Sequence, residues 1–403
     1  MVSEMVLFSA AAAGSDRPAT VICDDLSGAC EIAGLLHQEG RRAVVVLGEP
    51  CTEGATNVVD LGVRAIGDHG ARDAVAAALA SWDVSYVKVD SLLRGPIAAI
   101  VAGCQGDGRR VLVCPALPSA GRTIVDGAPF LDGWPLSASD AWDLERTRPP
   151  SDLAELLAPL STERISLHAS DVGSAGSPRD TVLCADAATD ADLDRLAALA
   201  RQHDLLPVGS AGLFAALLRQ CDAGVCGAGA ADVPGGDHDV GPKRSHGVVV
   251  AVGTASARAD EQIAELRRAG AYAVKLDPSE APQTDTAIDV VADGGTVLLH
   301  WNRDRKVDPQ RAVDMTKRLT DMVARIVAAN SSTGLVLTGG HTARSVLERL
   351  GETTLRPASV VHHGALVATT SSGRRVAVRP GSFGDAMSLV QLRNEVEFEE
   401  RAR

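Results

Sequence analysis

Two adjacent carboxylates, Asp24 and Asp25, follow the apolar run Ala19–Cys23 and precede a Ser27-Gly28 pair and a helix-like stretch. Side by side they repel each other, so stability alone does not favour the pair. At the carboxyl end of a strand in an α/β protein, they stand where ligands bind. The competing reading is that one of them caps the next helix. A second group lies in VKVDSLLRGP, residues 87–96, where Lys88, Asp90, Ser91 and Arg94 crowd the end of another strand-like run. On a strand, Lys88 and Asp90 would share a face. Arg94 could fork onto a carboxylate or phosphate, and Gly95 would let backbone approach a ligand closely. The plain alternative is an ion pair of Lys88 or Arg94 with Asp90, worth about 0–1 kcal/mol at a surface. Arg122 lies in CPALPSAGRTIVDGAPFLDGWPL, residues 114–136, which reads as a long loop after a strand. Loops of about 20 residues without periodicity are usually functional or disordered. Its apolar anchors argue against disorder and make Arg122 a further candidate anion ligand.

The C-terminal half offers glycine-rich strand ends instead. VVVAVGTASAR, residues 248–258, passes from a strand through Gly253, Thr254 and Ser256 into a helix. GLVLTGGHTARSVL, residues 334–347, does so through Thr338, Gly339, Gly340, His341 and Thr342. VRPGSFGD, residues 378–385, adds a third loop with Gly381 and Gly384. Small residues ahead of a helix leave backbone N–H groups open to phosphate. Two such loops in one domain point to a nucleotide or phosphosugar, although glycine in an α/β loop often serves only the turn. His341 could touch a ligand, cap its helix or face solvent. No GxxxxGK[ST] occurs and no GxGxxG follows a strand, which disfavours Walker-type and Rossmann sites. Without HExxH, a G-x-S-x-G elbow or a Ser-His-Asp order, hydrolase chemistry has little support.

These residues must be positioned by a fold, and the pattern around them is regular. Candidate strands at 19–23, 42–47, 85–90, 109–114, 181–185, 247–252, 271–276, 296–300 and 334–338 alternate with helical patterns. The helices are expected at 29–39, 70–82, 190–203, 210–220, 258–269, 309–329 and 342–350. The alternation implies an α/β protein with mainly parallel sheets covered by helices on both faces. Residues 223–246, rich in Gly, Ala, Asp and Pro, read as a linker. They separate an N-terminal domain, 1–222, from a C-terminal domain, 247–403.

The 403 residues are 45% hydrophobic and 23% charged, as in an ordinary soluble globular protein. A net charge of −13 argues against a nucleic-acid partner, which needs clustered cations. No uncharged apolar stretch reaches the roughly 18 residues that span a bilayer, so no membrane partner is expected. Eight cysteines without a CxxC pair, together with a poor match to a signal peptide, suit a reducing cytoplasm. Cys23, Cys114 and Cys184 end apolar runs and read as buried thiols. No metal-ligand set is evident.

Taken in order, the motifs resemble those of the four-carbon acid sugar kinase family. Its DDLTGA appears as Asp24-Asp25-Leu26-Ser27-Gly28-Ala29, and its K-x-D-S-T-x-R-G as Lys88-Val89-Asp90-Ser91-Leu92-Leu93-Arg94-Gly95. Its GRTT loop and G-x-P-L appear as Gly121-Arg122-Thr123-Ile124 and Gly133-Trp134-Pro135-Leu136. Its GSAGL is Gly209 to Leu213, and its TGG[DE]TA is Thr338 to Ala343. Its K-S-G-x-F-G-D is Arg379 to Asp385. The resemblance implies an ATP-dependent kinase whose N-terminal domain holds the acid sugar and whose C-terminal domain holds ATP, with Mg²⁺ bridging the phosphates. It implies a small anionic hydroxy acid as substrate, gripped by Lys88 and Arg94. Ser27, Asp90, Ser91 and Arg122 would line the same site. Asp24 or Asp25 would accept the hydroxyl proton, with Asp25 slightly preferred. Assembly is open, a homodimer being one expectation.

The departures from the family pattern are specific. Ser27 stands for Thr, Glu31 for Asp, Leu92 for Thr and Pro96 for Asn. In the nucleotide half, His341 stands for an acidic residue and Arg379 for Lys. They leave two alternatives: the same fold acting on a specialised-metabolite acceptor, or a binding protein with weakened catalysis.

Overall fold

The computed structural model describes residues 19–50, 54–142, 145, 147–166, 178, 180–221, 246–253, 258–277, 283–301, 309–381 and 383–397. Thr254, Ser256 and residues 223–245 of the expected linker lie outside the described residues. The chain divides into two compact units, Met1–Gly28 with Pro50–Val233, and Ala29–Glu49 with Pro234–Arg403.

The first unit is built on a parallel sheet. Its strands follow the order Thr56–Asp60, Ala19–Cys23, Asp83–Lys88, Leu206–Gly209, Val111–Cys114, Val182–Ala185 and Thr162–Ile165. Val21, Ile22, Val58, Val59, Val87, Leu112 and Leu183 are buried, as strands covered on both faces require. Cys23, Cys114 and Cys184 are buried with them, and burial pushes the thiols of Cys114 and Cys184 up to about 12. Register decides where chemistry can occur. Cys23 pairs with both Asp60 and Lys88, so three neighbouring strands end level and release their next residues at one sheet edge.

The stretch expected as a long loop is more ordered than that. Arg122–Val125, Ala128–Leu131 and Trp134–Pro135 form an antiparallel three-stranded sheet. Its turns, Asp126-Gly127 and Asp132-Gly133, have φ of 53° and 81°, and 52° and 82°. Positive φ at both central residues is the geometry of tight hairpin turns, which Asp-Gly favours.

In the second unit the strands follow the order Tyr272–Leu276, Thr296–Trp301, Val248–Val252, Gly334–Thr338, Arg375–Arg379, Ala365–Thr370, Thr354–His362 and Ala43–Val46. The first five are parallel. The last three pair antiparallel; Ala43–Val46 lies in the expected strand 42–47, whereas Thr354–His362, Ala365–Thr370 and Arg375–Arg379 fall after 338, where the sequence pattern places no strand. Ala43–Val46 joins this sheet by pairing with Thr354 and Leu355, which is why residues 29–49 pack with the C-terminal part of the chain.

Candidate active site

The strand Ala19–Cys23 stops at Asp24, and the helix Leu26–Gln38 begins two residues later. Asp25 caps that helix, accepting from the Gly28 amide at 2.7 Å and from Ser27 Oγ at 2.9 and 3.0 Å. Gly28 sits tightly against this group: a Cβ there would lie 3.2 Å from Asp25 Oδ1 and 3.3 Å from Lys88 Nζ. Lys88 is buried and donates to the Val89 carbonyl at 3.0 Å.

The strand Asp83–Lys88 ends two residues before Asp90, so strand alternation does not place that carboxylate. It opens a turn in which Arg94 returns to it. The Arg94 amide and Nε donate to Asp90 Oδ2 at 3.1 and 2.7 Å, and Nη2 donates to Oδ1 at 3.1 Å. The anticipated Arg94–Asp90 ion pair therefore exists as a bidentate fork, leaving Nη1 without a protein acceptor among the described residues. Leu93, buried in this turn, has φ 64°. A non-glycine residue there is uncommon, and such outliers concentrate at functional sites. Trp142 Nε1 anchors the turn by donating to the Leu92 carbonyl at 2.8 Å. Arg122 reaches Ser91 Oγ from the small antiparallel sheet.

One residue missed in the sequence joins these groups. Arg64, on the short 3₁₀ turn Val63–Ala65, donates from Nε to Asp24 Oδ2 at 2.9 Å and from Nη1 to Asp25 Oδ2 at 3.0 Å. Its Nη2 lies 3.2 Å from Asp90 Oδ2. A single guanidinium thus gathers three carboxylates from two separate motifs. Asp24, Asp25, Ser27, Lys88, Asp90, Ser91, Arg94 and Arg122 all fall in the first unit, at the edge fixed by the strand register.

The glycine loops lie in the second unit. Gly253 packs so closely on Thr342 that a Cβ at 253 would collide with the Thr342 side chain, so two of the expected loops touch. Gly339 has φ 89° and open space where a Cβ would stand. It precedes the helix Gly340–Arg349 without a side-chain cap. His341 is exposed on the first turn, its carbonyl accepting from Ser345 Oγ at 2.9 Å. Thr338 is buried, its hydroxyl facing the Ala251 carbonyl at 3.4 Å. Gly384 has φ 85°, and a Cβ there would meet Ser388 Oγ at 2.5 Å. Gly381 lies between Arg379 and Gly384 in the third loop. An uncapped helix start beside open space is a fit for a phosphate. Among the described residues no group of three or more His, Cys, Asp or Glu could hold a metal ion.

Residues 19–217 match the family model of a sugar-binding N-terminal domain, and residues 249–389 that of a nucleotide-binding C-terminal domain. A D-threonate kinase of Cupriavidus necator is 31% identical, over 92% of this chain and 95% of its own length. This chain belongs to the four-carbon acid sugar kinase family. It is a kinase that phosphorylates a hydroxyl group. The D-threonate kinase of Salmonella typhimurium is 26% identical over 92% of this chain and 96% of its own. A 3-oxo-tetronate kinase of Pseudomonas savastanoi pv. phaseolicola is 27% identical over 90% and 94%. Among solved structures, a Salmonella typhimurium protein described as a tRNA synthase shares the fold, with a TM-score of 0.72 at 21% identity over 95% of this chain and all of that one. A Haemophilus influenzae protein does so with a TM-score of 0.64 at 20% identity over 94% of this chain and all of that one.

Charge in the kinase's acidic cluster is distributed unevenly. Burial raises Asp24 from 3.8 to about 6; Arg64 and Lys88 oppose the rise, while Asp25 and Asp90 add to it. Burial would raise Asp90 too, yet Arg94 and Arg64 hold it well below the usual carboxylate range. Burial acts to discharge Arg64, but Asp24, Asp90 and Asp25 keep it firmly charged. Asp24 Oδ1 has no hydrogen-bond partner among the described residues, whereas both oxygens of Asp25 are engaged.

Gly95 makes the hub possible. It has φ 88°, and a Cβ there would lie 3.2 Å from Arg64 Cγ and 3.4 Å from Arg64 Nε. Gly95→Ala is expected to displace Arg64 and strain the turn, lowering kcat by about tenfold or more. Steady-state kinetics on the folded variant will measure it, and unchanged kcat would show that Gly95 does not position Arg64.

Proposed function

We propose that the kinase transfers the γ-phosphoryl group of ATP to a hydroxyl of a four-carbon sugar acid or a closely related hydroxy acid. The observation that carries this reading is the Arg64 hub, three carboxylates around one guanidinium at the sheet edge of the domain matched as sugar-binding. The names of the relatives, D-threonate kinase and 3-oxo-tetronate kinase, support an acid of this size. They favour catalysis over a binding protein that has lost it.

Phosphoryl transfer is largely positioning and charge neutralisation. In this reading Arg94 Nη1 and Lys88 grip the substrate carboxylate, and Arg122 and Ser91 close the other side. Arg64 holds Asp24 and Asp25 together despite their repulsion. Asp24 is proposed as the base, in place of Asp25. It keeps an oxygen without a hydrogen-bond partner, and a pKa near 6 leaves it ionised at neutral pH yet able to accept a proton. Asp25 orders the helix start and is proposed to touch the acceptor hydroxyl through Ser27. ATP supplies the phosphoryl group, held on the loops at Gly253, Thr338–Thr342 and Gly381–Gly384. Thr254 and Ser256 belong to the same proposal. Mg²⁺ is proposed to arrive with the nucleotide, bound mainly by phosphate and water, as it commonly is at such sites.

An ADP-release screen of hydroxy acids at varied pH tests this. Activity is expected with four-carbon acids, and kcat should rise with pH through a midpoint near 6 as Asp24 loses its proton. The sign for stability is opposite: folding raises this pKa, so the stabilisation from Asp24 is present below about 3.8 and lost as pH rises through about 6. Absence of acid-dependent ADP release would refute the reading.

A further inference from the structure

Arg379 stands where the family pattern has Lys, at the entry to the third glycine loop. The structure buries it completely at the end of the strand Arg375–Arg379. Among the described residues it pairs with no carboxylate, and burial alone pushes it down to about 10, which still leaves it charged at neutral pH. Its two terminal nitrogens are spent on the loop that follows and on Gln262, while Nε is buried without a hydrogen-bond partner among the described residues. Nη1 donates to the Phe383 carbonyl and, at 3.2 Å, to the Pro380 carbonyl, while Nη2 donates to the side-chain oxygen of Gln262.

Gln262 is also fully buried, on the helix Arg258–Arg268 that follows the Gly253 loop. Its amide nitrogen faces the same loop, 3.4 Å from the Phe383 carbonyl, 3.3 Å from that of Gly384 and 2.9 Å from that of Asp385. Two side chains therefore satisfy four successive or near-successive loop carbonyls and each other. Two further contacts lie in and beside the loop. The Phe383 ring packs on His363 with centroids 5.4 Å apart, and His362 Nε2 meets Ser388 Oγ at 2.6 Å. The Arg379 carbonyl itself accepts from the Gly339 amide at 2.9 Å, tying this strand end to the start of the second loop.

We propose that Gln262 and Arg379 form a buried clamp that sets the backbone of the 380–385 loop, making Gln262 a positioning residue for nucleotide binding. The clamp joins the helix after the first glycine loop to the third loop, and through Gly339 to the second. The terminal nitrogens of both side chains are engaged by the loop carbonyls or by each other, so the pair is not assigned to the nucleotide itself. They act by fixing where the loop amides and Gly381 and Gly384 stand. Arg suits the role because its planar fork reaches several acceptors in fixed directions, which a lysine ammonium does not do. The departure from Lys thus changes how the loop is held rather than removing a phosphate ligand. The inference rests on the assignment of these loops to ATP.

The test compares Gln262→Leu, Gln262→Glu, Arg379→Met, Arg379→Lys and the loop control Gly384→Val in the full chain. ATP affinity is read by calorimetry, KM for ATP and for the acid by steady-state kinetics, and folding by thermal melting. Gln262→Leu should weaken ATP binding and raise its KM about tenfold or more, with KM for the acid within about twofold. Gln262→Glu keeps a partner for Arg379 but loses the amide donors, so it should fall between Gln262→Leu and the unmodified protein. Arg379→Lys should be milder than Arg379→Met. A lowered melting temperature with ATP affinity and KM unchanged would overturn the clamp, because a purely structural role predicts that result. If Gln262→Leu does not fold, Gln262→Glu and Arg379→Lys decide on the same readouts. If Gly384→Val leaves ATP binding intact, the loop assignment fails. If Gly384→Val weakens it and the Gln262 variants do not, the clamp alone fails.

Discussion

Arg64→Ala is expected to abolish turnover and to destabilise the N-terminal domain. The guanidinium touches Asp24, Asp25 and Asp90 at 2.9, 3.0 and 3.2 Å, and Asp24 is almost wholly buried. Removing one partner from a buried ion pair leaves an uncompensated charge and costs about 3–5 kcal/mol. Arg64 is itself a quarter exposed, which places the expected loss at the lower end, ~3 kcal/mol. The remaining carboxylates would respond by taking up protons, so Asp24 should titrate higher than in the intact site. Chemical denaturation at neutral pH and kcat on the folded fraction will check both effects. Arg64→Lys should recover part of the stability and little of the rate, because an ammonium cannot fork across three carboxylates. Stability and kcat within a few-fold of the unmodified protein would show that Arg64 is not the hub.

Asp24→Asn carries the second large effect. The substitution keeps shape and removes the ability to accept a proton, so kcat should fall by about 10²–10⁴-fold. ATP binding should stay within about twofold, since the glycine loops proposed to hold the nucleotide belong to the other unit. The rise of activity with pH around 6 should vanish with it. Asp25→Asn is expected to behave differently. It weakens the cap on the helix Leu26–Gln38, costing about 1 kcal/mol, and lowers kcat less than Asp24→Asn does. A deeper loss of rate in Asp25→Asn, with the pH midpoint retained in Asp24→Asn, would transfer the base to Asp25.

Much of this site was legible because it is written at strand ends. Asp24 and Asp25 follow the strand-like run Ala19–Cys23, and their neighbours in VKVDSLLRGP close another, so parallel-sheet logic places both at one edge. Arg64 was not legible. It sits on a three-residue 3₁₀ turn without helical periodicity, and its partners lie 26 to 40 residues away. Gly95 hinted at a close approach but could not name the side chain that passes it. The hairpins at Asp126-Gly127 and Asp132-Gly133 were written plainly in the turn chemistry and were obscured by the short strands around them.

Elsewhere the difficulty was non-locality. Thr354–His362 carries Pro357 and partly exposed polar positions, so it lacks the apolar run of a buried parallel strand. It is a strand because Ala365–Thr370 and Ala43–Val46 pair with it, and the second of these lies some three hundred residues earlier in the chain. The buried Gln262–Arg379 clamp is of the same kind. A polar residue on a charged helix and a basic residue at a strand end gave no sign of meeting until the fold brought them together.

The most direct single measurement is the initial rate of ADP release at neutral pH from the intact enzyme, with ATP and Mg²⁺, across a panel of four-carbon hydroxy acids, with Asp24→Asn run in parallel. The account predicts ADP release that requires one of the acids, matched one-to-one by phosphorylated acid, and lost by at least about a hundredfold in Asp24→Asn. ADP release that is indifferent to every acid, or an Asp24→Asn enzyme working at the rate of the unmodified protein, would contradict it.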